Sequence, residues 1–304
     1  PLSQLVDGTL QKNGTPVQKL IIKSVTESLQ GHDLPTWATL ALTECLRLRR
    51  FKHNHILSIV GIGGNQHKFH ILYPNMTQGV LKSVISDTNK DFSVRQLLGF
   101  SQQVAEGINF LSSKDVTHKD VAARNGMIDE YSVVKLCDAS FAWDLYPDEY
   151  VYDSSRERYL PIRWMAPESL TDGYYDMRTD VWSFAVLVWE LLTRGCLPFH
   201  EVSDSAGVSE YILQGYILGR PDTLSSEVYE LLRSCWCPEN ESRPSIGTVS
   251  RTLSDILEAE DDQTYANAGD LASFEHQHSS GLAATPRQHN SDGNFYSTTK
   301  LSRV

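Results

Sequence analysis

The stretch "DVWSFAVLVWELLT" (180–193) constrains the fold of this chain more than any other. Apolar residues fall on nearly every face of it, so it predicts a helix buried on all sides. Burying such a helix needs a substantial core. The chain has 304 residues, of which 40% are hydrophobic and 21% charged. That is enough for one large domain or two moderate ones, with the balance of an ordinary globular protein. The net charge of −11 provides no overall basic field, so no nucleic-acid partner is expected.

The five cysteines are scattered, and the closest pair, Cys235 and Cys237, is one residue apart. That is neither a zinc spacing nor a disulfide framework, and a reducing compartment such as the cytosol is expected. No apolar run is long enough to span a membrane, and no signal peptide opens the sequence. The first residue is Pro1 rather than Met, so a fragment or processed chain is expected, and the lack of a membrane segment says little about the intact protein.

The first part of the chain reads as mixed strand and helix. "KLIIKSV" (19–25) and "KFHILY" (68–73) are short apolar, β-rich runs. Between them "PTWATLALTECLRLRRF" (35–51) has helical spacing, with Pro35 near its start and basic residues near its end. After "NMTQG" (75–79) the pattern turns helical, over 94–113, 180–193, 225–236 and 245–260. From 261 to 304 the chain is polar with isolated apolar residues, and is expected to stay a disordered tail.

Two loops carry chemistry. "HKDVAARN" (118–125) places Asp120 and Asn125 within one short stretch. Phosphoryl transfer needs a carboxylate to orient the attacking hydroxyl and an amide oxygen nearby to hold a metal ion. "LCDAS" (136–140) adds Asp138, a second hard oxygen ligand suited to Mg²⁺. Lys23, ending a strand, has the reach to meet phosphates, and Glu44 on the following helix could pair with it. Taken singly, each of these residues reads as a surface or loop group; their order and spacing carry the functional reading.

The ordered blocks "HKDVAARN…CDAS…PIRWMAPESL…DVWSFAVLVWELLT…PF…CW…RPS" resemble a protein tyrosine kinase domain across roughly residues 1–260. The resemblance implies an α+β, two-lobed fold: a small, mostly β N-lobe (1–75) with one regulatory helix, and a larger, mostly α C-lobe (79–260). It implies ATP and Mg²⁺ as cofactors, with nucleotide contacts from Leu5, Lys23, Tyr73 and Met76. Asp120, Lys23, Glu44 and Arg124 would be catalytic, and Asn125 and Asp138 would hold the metal. Glu168 with Arg243 resembles the family's buried ion pair, and Trp164, Asp180 and Trp182 read as architecture. More narrowly, "TECLRLRRFKHNHIL", "DLYPDEY" and "RWMAPESL" resemble the RYK/Derailed receptors, a Wnt-binding group with an altered metal-binding turn. That likeness implies a place on the cytoplasmic side of the plasma membrane as part of a single-pass receptor. It also implies signalling-protein partners there, with a co-receptor or another kinase among the candidates.

The sequence departs from the kinase pattern in four places. Counting back from Lys23, the third glycine of the phosphate-covering loop falls at Ser3, and the first two precede Pro1. In the metal-binding turn, Ala139 stands where a packing Phe is usual and Ser140 where a Gly is usual. Losing a core Phe costs about 3–5 kcal/mol, and a positive φ at a non-glycine roughly 1–2 kcal/mol. If half of that fell on the active arrangement, its population would drop around 10²-fold. Lys119 replaces the usual Arg, a poorer clamp for a phosphorylated loop. Tyr73, followed by Pro74, narrows the back of the nucleotide pocket.

Two readings stay open: a pseudokinase module acting through partners, with weak or absent phosphoryl transfer, and an active tyrosine kinase. Tyr146, Tyr150, Tyr152 and Tyr159 are candidate phosphorylation sites or packing residues, with Tyr150 and Tyr152 favoured as sites by their acidic surroundings. The end "LSRV" (301–304) resembles a ligand for PDZ domains, through Ser302 and Val304.

Overall fold

Strand β1 (Ser3–Lys12) and strand β2 (Thr15–Thr26) pair antiparallel, with Leu5 opposite Lys23. The structure, a computed structural model, describes residues 3–12, 15–26, 36–64, 68–139, 141–142, 145–156, 158–259 and 298–300. Helix α1 (Thr36–Arg49) follows, then β3 (Gly61–Gly64) and β4 (Lys68–Pro74), completing a sheet of order β1-β2-β4-β3. The sheet's inner face carries Ile21, Phe69, Ile71 and Tyr73, which pack with Cys45 of α1 into the small lobe's core. The strand and helix read at 19–25, 35–51 and 68–73 are all present.

Beyond β5 (Gly79–Val80), the large lobe is built on α2 (Leu81–Ser86) and α3 (Val94–Ser112). The short strands β6 (Gly126–Ile128) and β7 (Val134–Leu136) form a sheet with β5. They are followed by β8 (Val151–Asp153), β9 (Arg158–Leu160), α4 (Pro167–Thr171) and α5 (Met177–Leu192). Then come α6 (Ser205–Leu213), β10 (Tyr216–Leu218), α7 (Ser226–Cys235) and α8 (246–259). Asp176 caps α5 through its side chain, and every residue of α5 from Thr179 to Leu192 is buried, as the all-round apolar pattern requires. The expected two-lobed α+β architecture is what the chain adopts: an antiparallel-sheet lobe and a helical lobe.

One expectation is corrected. Within the tail 261–304, Thr298–Lys300 forms β11, antiparallel to Tyr216–Leu218. An edge strand offers unpaired backbone donors and acceptors, and pairing to it needs no apolar side chains. Ser302 and Val304 lie outside the described residues. Among the described residues, no helix is long and apolar enough to cross a membrane.

Candidate active site

Helix α5 positions the 118–125 loop from beneath. Asp180, fully buried, accepts hydrogen bonds from the backbone amides of His118 (2.6 Å) and Lys119 (2.8 Å). Burial pushes its carboxyl above the usual range. Near the helix's other end, Glu190 accepts from the amide of Ala123 (3.0 Å), the indole of Trp164 (3.2 Å) and Nζ of Lys82 (2.9 Å). Two buried acids of one helix thus fix both ends of the loop. Between them, His118 donates through Nε2 to the carbonyl of Cys137 (2.6 Å) and accepts at Nδ1 from the amide of Asp120 (3.3 Å). The amide of Cys137 in turn donates to the carbonyl of Asn125 (2.7 Å), joining the two chemistry-bearing loops.

The structure gathers Lys23, Asp120, Asn125 and Asp138 at this junction, and all four are buried. Asn125 donates from Nδ2 to Oδ2 of Asp120 (2.8 Å) and to the Asp120 carbonyl (2.8 Å). Its other amide atom, Oδ1, is buried with no hydrogen-bond partner. An orphaned buried acceptor is costly unless something fills it. A hard cation beside Asp138 suits it, so these residues fit Mg²⁺.

Lys23 and Asp138 face inward. Lys23 donates from Nζ to the carbonyl of Phe141 (2.7 Å) and lies 5.9 Å from that ring's centroid. Asp138 accepts at Oδ2 from the hydroxyl of Tyr73 (2.8 Å). Tyr73 is completely buried, and burial, with Asp138 beside it, raises its phenol well above the usual value. Leu5 and Met76 pack in the same small-lobe cluster as Tyr73. A cleft of about 360 Å³ is lined by Asp7, Gly8, Thr9, Lys19, Leu20, Asn75, Met76 and Thr77, from β1, β2 and the stretch after β4. Tyr73, Lys23 and Asp138 are not among its lining residues.

Two sequence expectations are corrected here. Glu44 does not pair with Lys23; its carboxylate is held by Arg47, three residues on, through Nε (2.9 Å) and a terminal nitrogen (2.5 Å). A neighbour one helical turn away forms that pair without any long-range closure, and Arg47 is itself anchored on the carbonyl of Thr117 (2.8 Å). Nor has the turn lost its aromatic wedge. Phe141, two residues beyond Ala139, is fully buried in the small-lobe cluster and meets Tyr73 edge to face, with centroids 5.2 Å apart at 87°. Ser140 lies outside the described residues.

Tyr150 is likewise not an exposed loop tyrosine. It is 8% exposed, and its hydroxyl donates to Oδ2 of Asp120 at 2.5 Å. Arg124, fully buried, donates to Tyr150 Oη (2.7 Å), to Glu149 (2.8 Å) and to Oδ1 of Asp120 (2.5 Å). Its guanidinium lies 4.1 Å from the Trp164 centroid and 4.5 Å from that of Tyr150. Burial opposes its charge, but Asp120, Tyr150 and Glu149 outweigh burial and hold it protonated. Lys82 of α2 pairs with both Glu149 and Glu190. Tyr146 meets Ser83 Oγ at 2.8 Å. Tyr152 and Tyr159 are the exposed members, paired across the β8–β9 hairpin. Lys119 sits at positive φ with Nζ 6.0 Å from the Tyr175 ring.

Sequence reasoning missed Phe141, Glu149, Lys82 and Glu190. The only signal for Phe141 was an aromatic close behind Ala139; the other three are charged residues that nothing local distinguishes from surface groups.

The Glu168–Arg243 pair forms as expected, at 2.6 and 2.8 Å, within the large lobe. Two lobes, a carboxylate–amide loop tied to an acidic turn, and this ion pair fit one scaffold. Residues 2–253 match the family described as protein tyrosine and serine/threonine kinase, and the chain belongs to that family.

Proposed function

We propose that this kinase domain signals mainly by binding partners, and that its phosphoryl-transfer site is held closed by its own side chains. The observation that carries this is the double occupation of the site: Tyr73 holds Asp138 and Tyr150 holds Asp120. A metal-binding carboxylate and a hydroxyl-orienting carboxylate are both engaged, while Lys23 is turned to a backbone carbonyl. Nucleotide binding requires at least the first contact to yield.

ATP and Mg²⁺ are the cofactors a kinase site takes, Mg²⁺ supplying charge neutralisation at the phosphates. Asn125 and Asp138 would hold the ion, Leu5, Met76 and Lys23 the nucleotide. By its resemblance to the RYK/Derailed group, we assign the chain to the cytoplasmic part of a Wnt-binding single-pass receptor at the plasma membrane. Partners would include signalling proteins, a co-receptor or other kinase, and a PDZ protein at Ser302 and Val304.

The active-kinase reading is favoured by one observation, the unpartnered Oδ1 of Asn125 in a site with Lys23, Asp120 and Asp138 all retained. Incubation with ATP and Mg²⁺ at cellular levels decides between the two. Phosphotyrosine formed by the chain and abolished by Asp120→Asn would establish the active reading; no product, with partner binding intact, supports the closed one.

A further inference from the structure

Strand β10 (Tyr216–Leu218) is held in place by the body of the large lobe. Ile217 and Leu218 are buried. The Tyr229 hydroxyl of α7 donates to the Leu218 carbonyl (2.9 Å), and the Trp189 indole of α5 donates to the carbonyl of Gly219 (2.9 Å). Tyr216 stacks on Tyr211 of α6, with centroids 3.9 Å apart and rings 1° from parallel. Gly215, at φ +86°, turns the chain out of α6 into the strand. Among the described residues, the only strand that pairs with β10 is β11 (Thr298–Lys300), with Tyr216 opposite Lys300 and Leu218 opposite Thr298. β10 is thus a preformed edge, and an extended segment joining it has only itself to order.

We propose that this edge is a strand-docking surface whose occupant is the chain's own C-terminal end, and that docking withholds that end from a PDZ domain. The second half rests on the reading of Ser302 and Val304 as a PDZ ligand. Strand addition is carried by backbone groups, so a polar segment suffices on the tail side. The two destinations exclude one another. Lys300, paired with Tyr216, lies four residues before Val304, and four extended residues span at most about 14 Å. A PDZ groove takes the terminal carboxylate and pairs with the backbone leading to it. Within that reach of β10, the groove would have to close on backbone that already lies against the large lobe. Capture therefore requires β11 to leave, and the edge it leaves is again a free row of donors and acceptors that draws it back.

The test compares the full 304-residue chain with a variant carrying Thr298→Pro and Thr299→Pro. Alternate residues of an antiparallel strand face the partner, so one of two consecutive prolines removes a ladder amide. Hydrogen exchange read by mass spectrometry follows the stretch with Ile217 and Leu218. Exchange there is expected to be roughly tenfold slower in the unaltered chain, and equally slow after roughly tenfold dilution. Equal exchange in the two chains would overturn the docking. Protection lost on dilution would mean that the strand comes from a second copy, and would overturn occupancy by the same chain. The second readout is binding to an immobilised PDZ domain chosen because it takes the free peptide Ser-Thr-Thr-Lys-Leu-Ser-Arg-Val. Each chain is compared with the free peptide of its own last eight residues, so that any direct effect of the prolines cancels. On that scale the unaltered chain is expected to bind roughly tenfold more weakly than the proline variant. Equal relative affinities would overturn the withholding. If no PDZ domain takes the free peptide, the PDZ reading falls, and exchange at Ile217 and Leu218 decides the docking by itself.

Discussion

The Tyr73 hydroxyl donates to Oδ2 of Asp138 at 2.8 Å inside a cluster that excludes water. A phenol from the small lobe thus occupies a carboxylate oxygen that a metal ion would need. The contact ties the two lobes together and, on the proposed reading, closes the site in the same stroke. Its partner Phe141 supplies the packing that Ala139 cannot.

Removing the hydroxyl alone should expose the strength of this tie. A hydrogen bond to a charged group contributes about 1.5–3 kcal/mol. Tyr73→Phe keeps the ring against Phe141 and should lower unfolding stability by about that amount in urea denaturation.

Phe141→Ala should cost more, about 3–5 kcal/mol, because it empties a fully buried site between the lobes. Ala139→Phe, by contrast, should not restore nucleotide binding, since Phe141 already fills the aromatic position. A nucleotide-induced rise in melting temperature in Ala139→Phe would contradict that assignment.

Tyr150→Phe removes the hydroxyl shared by Asp120 and Arg124. The segment 145–156 should open more often, by roughly tenfold if about 1.4 kcal/mol is lost. Limited proteolysis within the segment reports this; an unchanged cleavage rate would mean that the Tyr150 hydroxyl does not hold it.

The Glu168–Arg243 pair sets a pH dependence. Burial raises the Glu168 carboxyl, but the hydrogen bonds and charge of Arg243, with Asn240, outweigh it and leave the value below its ordinary 4.5. A depressed carboxylate stabilises the folded state above the unfolded value. That stability is lost as pH falls through the lower, folded value. Melting temperature should therefore fall below about pH 4.5, and the part of that fall due to Glu168 should vanish in Glu168→Gln. Arg243→Leu, which leaves Glu168 half-buried without its cation, should cost about 3–5 kcal/mol.

What was legible in the sequence is what local pattern encodes. Helix α5 was readable because burial on all sides leaves no polar stripe, and Asp120 with Asn125 because only four residues separate them. Strand β2 and helices α1 and α3 announced themselves by period. The hairpin partner β1 did not, since Asp7, Gly8 and Thr9 interrupt its apolar run. Glu44 illustrates the harder limit: Arg47 and Lys23 were both available cations, and only the placement of α1 against the sheet selects between them. Phe141 taking the place of Ala139, and Tyr150 folding back on Asp120, depend on the path of a loop whose conformation no periodicity specifies.

The most direct test of a self-closed site is calorimetric titration with ATP and Mg²⁺ of the unaltered chain beside a Tyr73→Ala, Tyr150→Phe double variant. The closed-site account predicts little or no heat of binding for the first and a saturable isotherm at least tenfold tighter for the second. Equal, tight binding by both chains would contradict it.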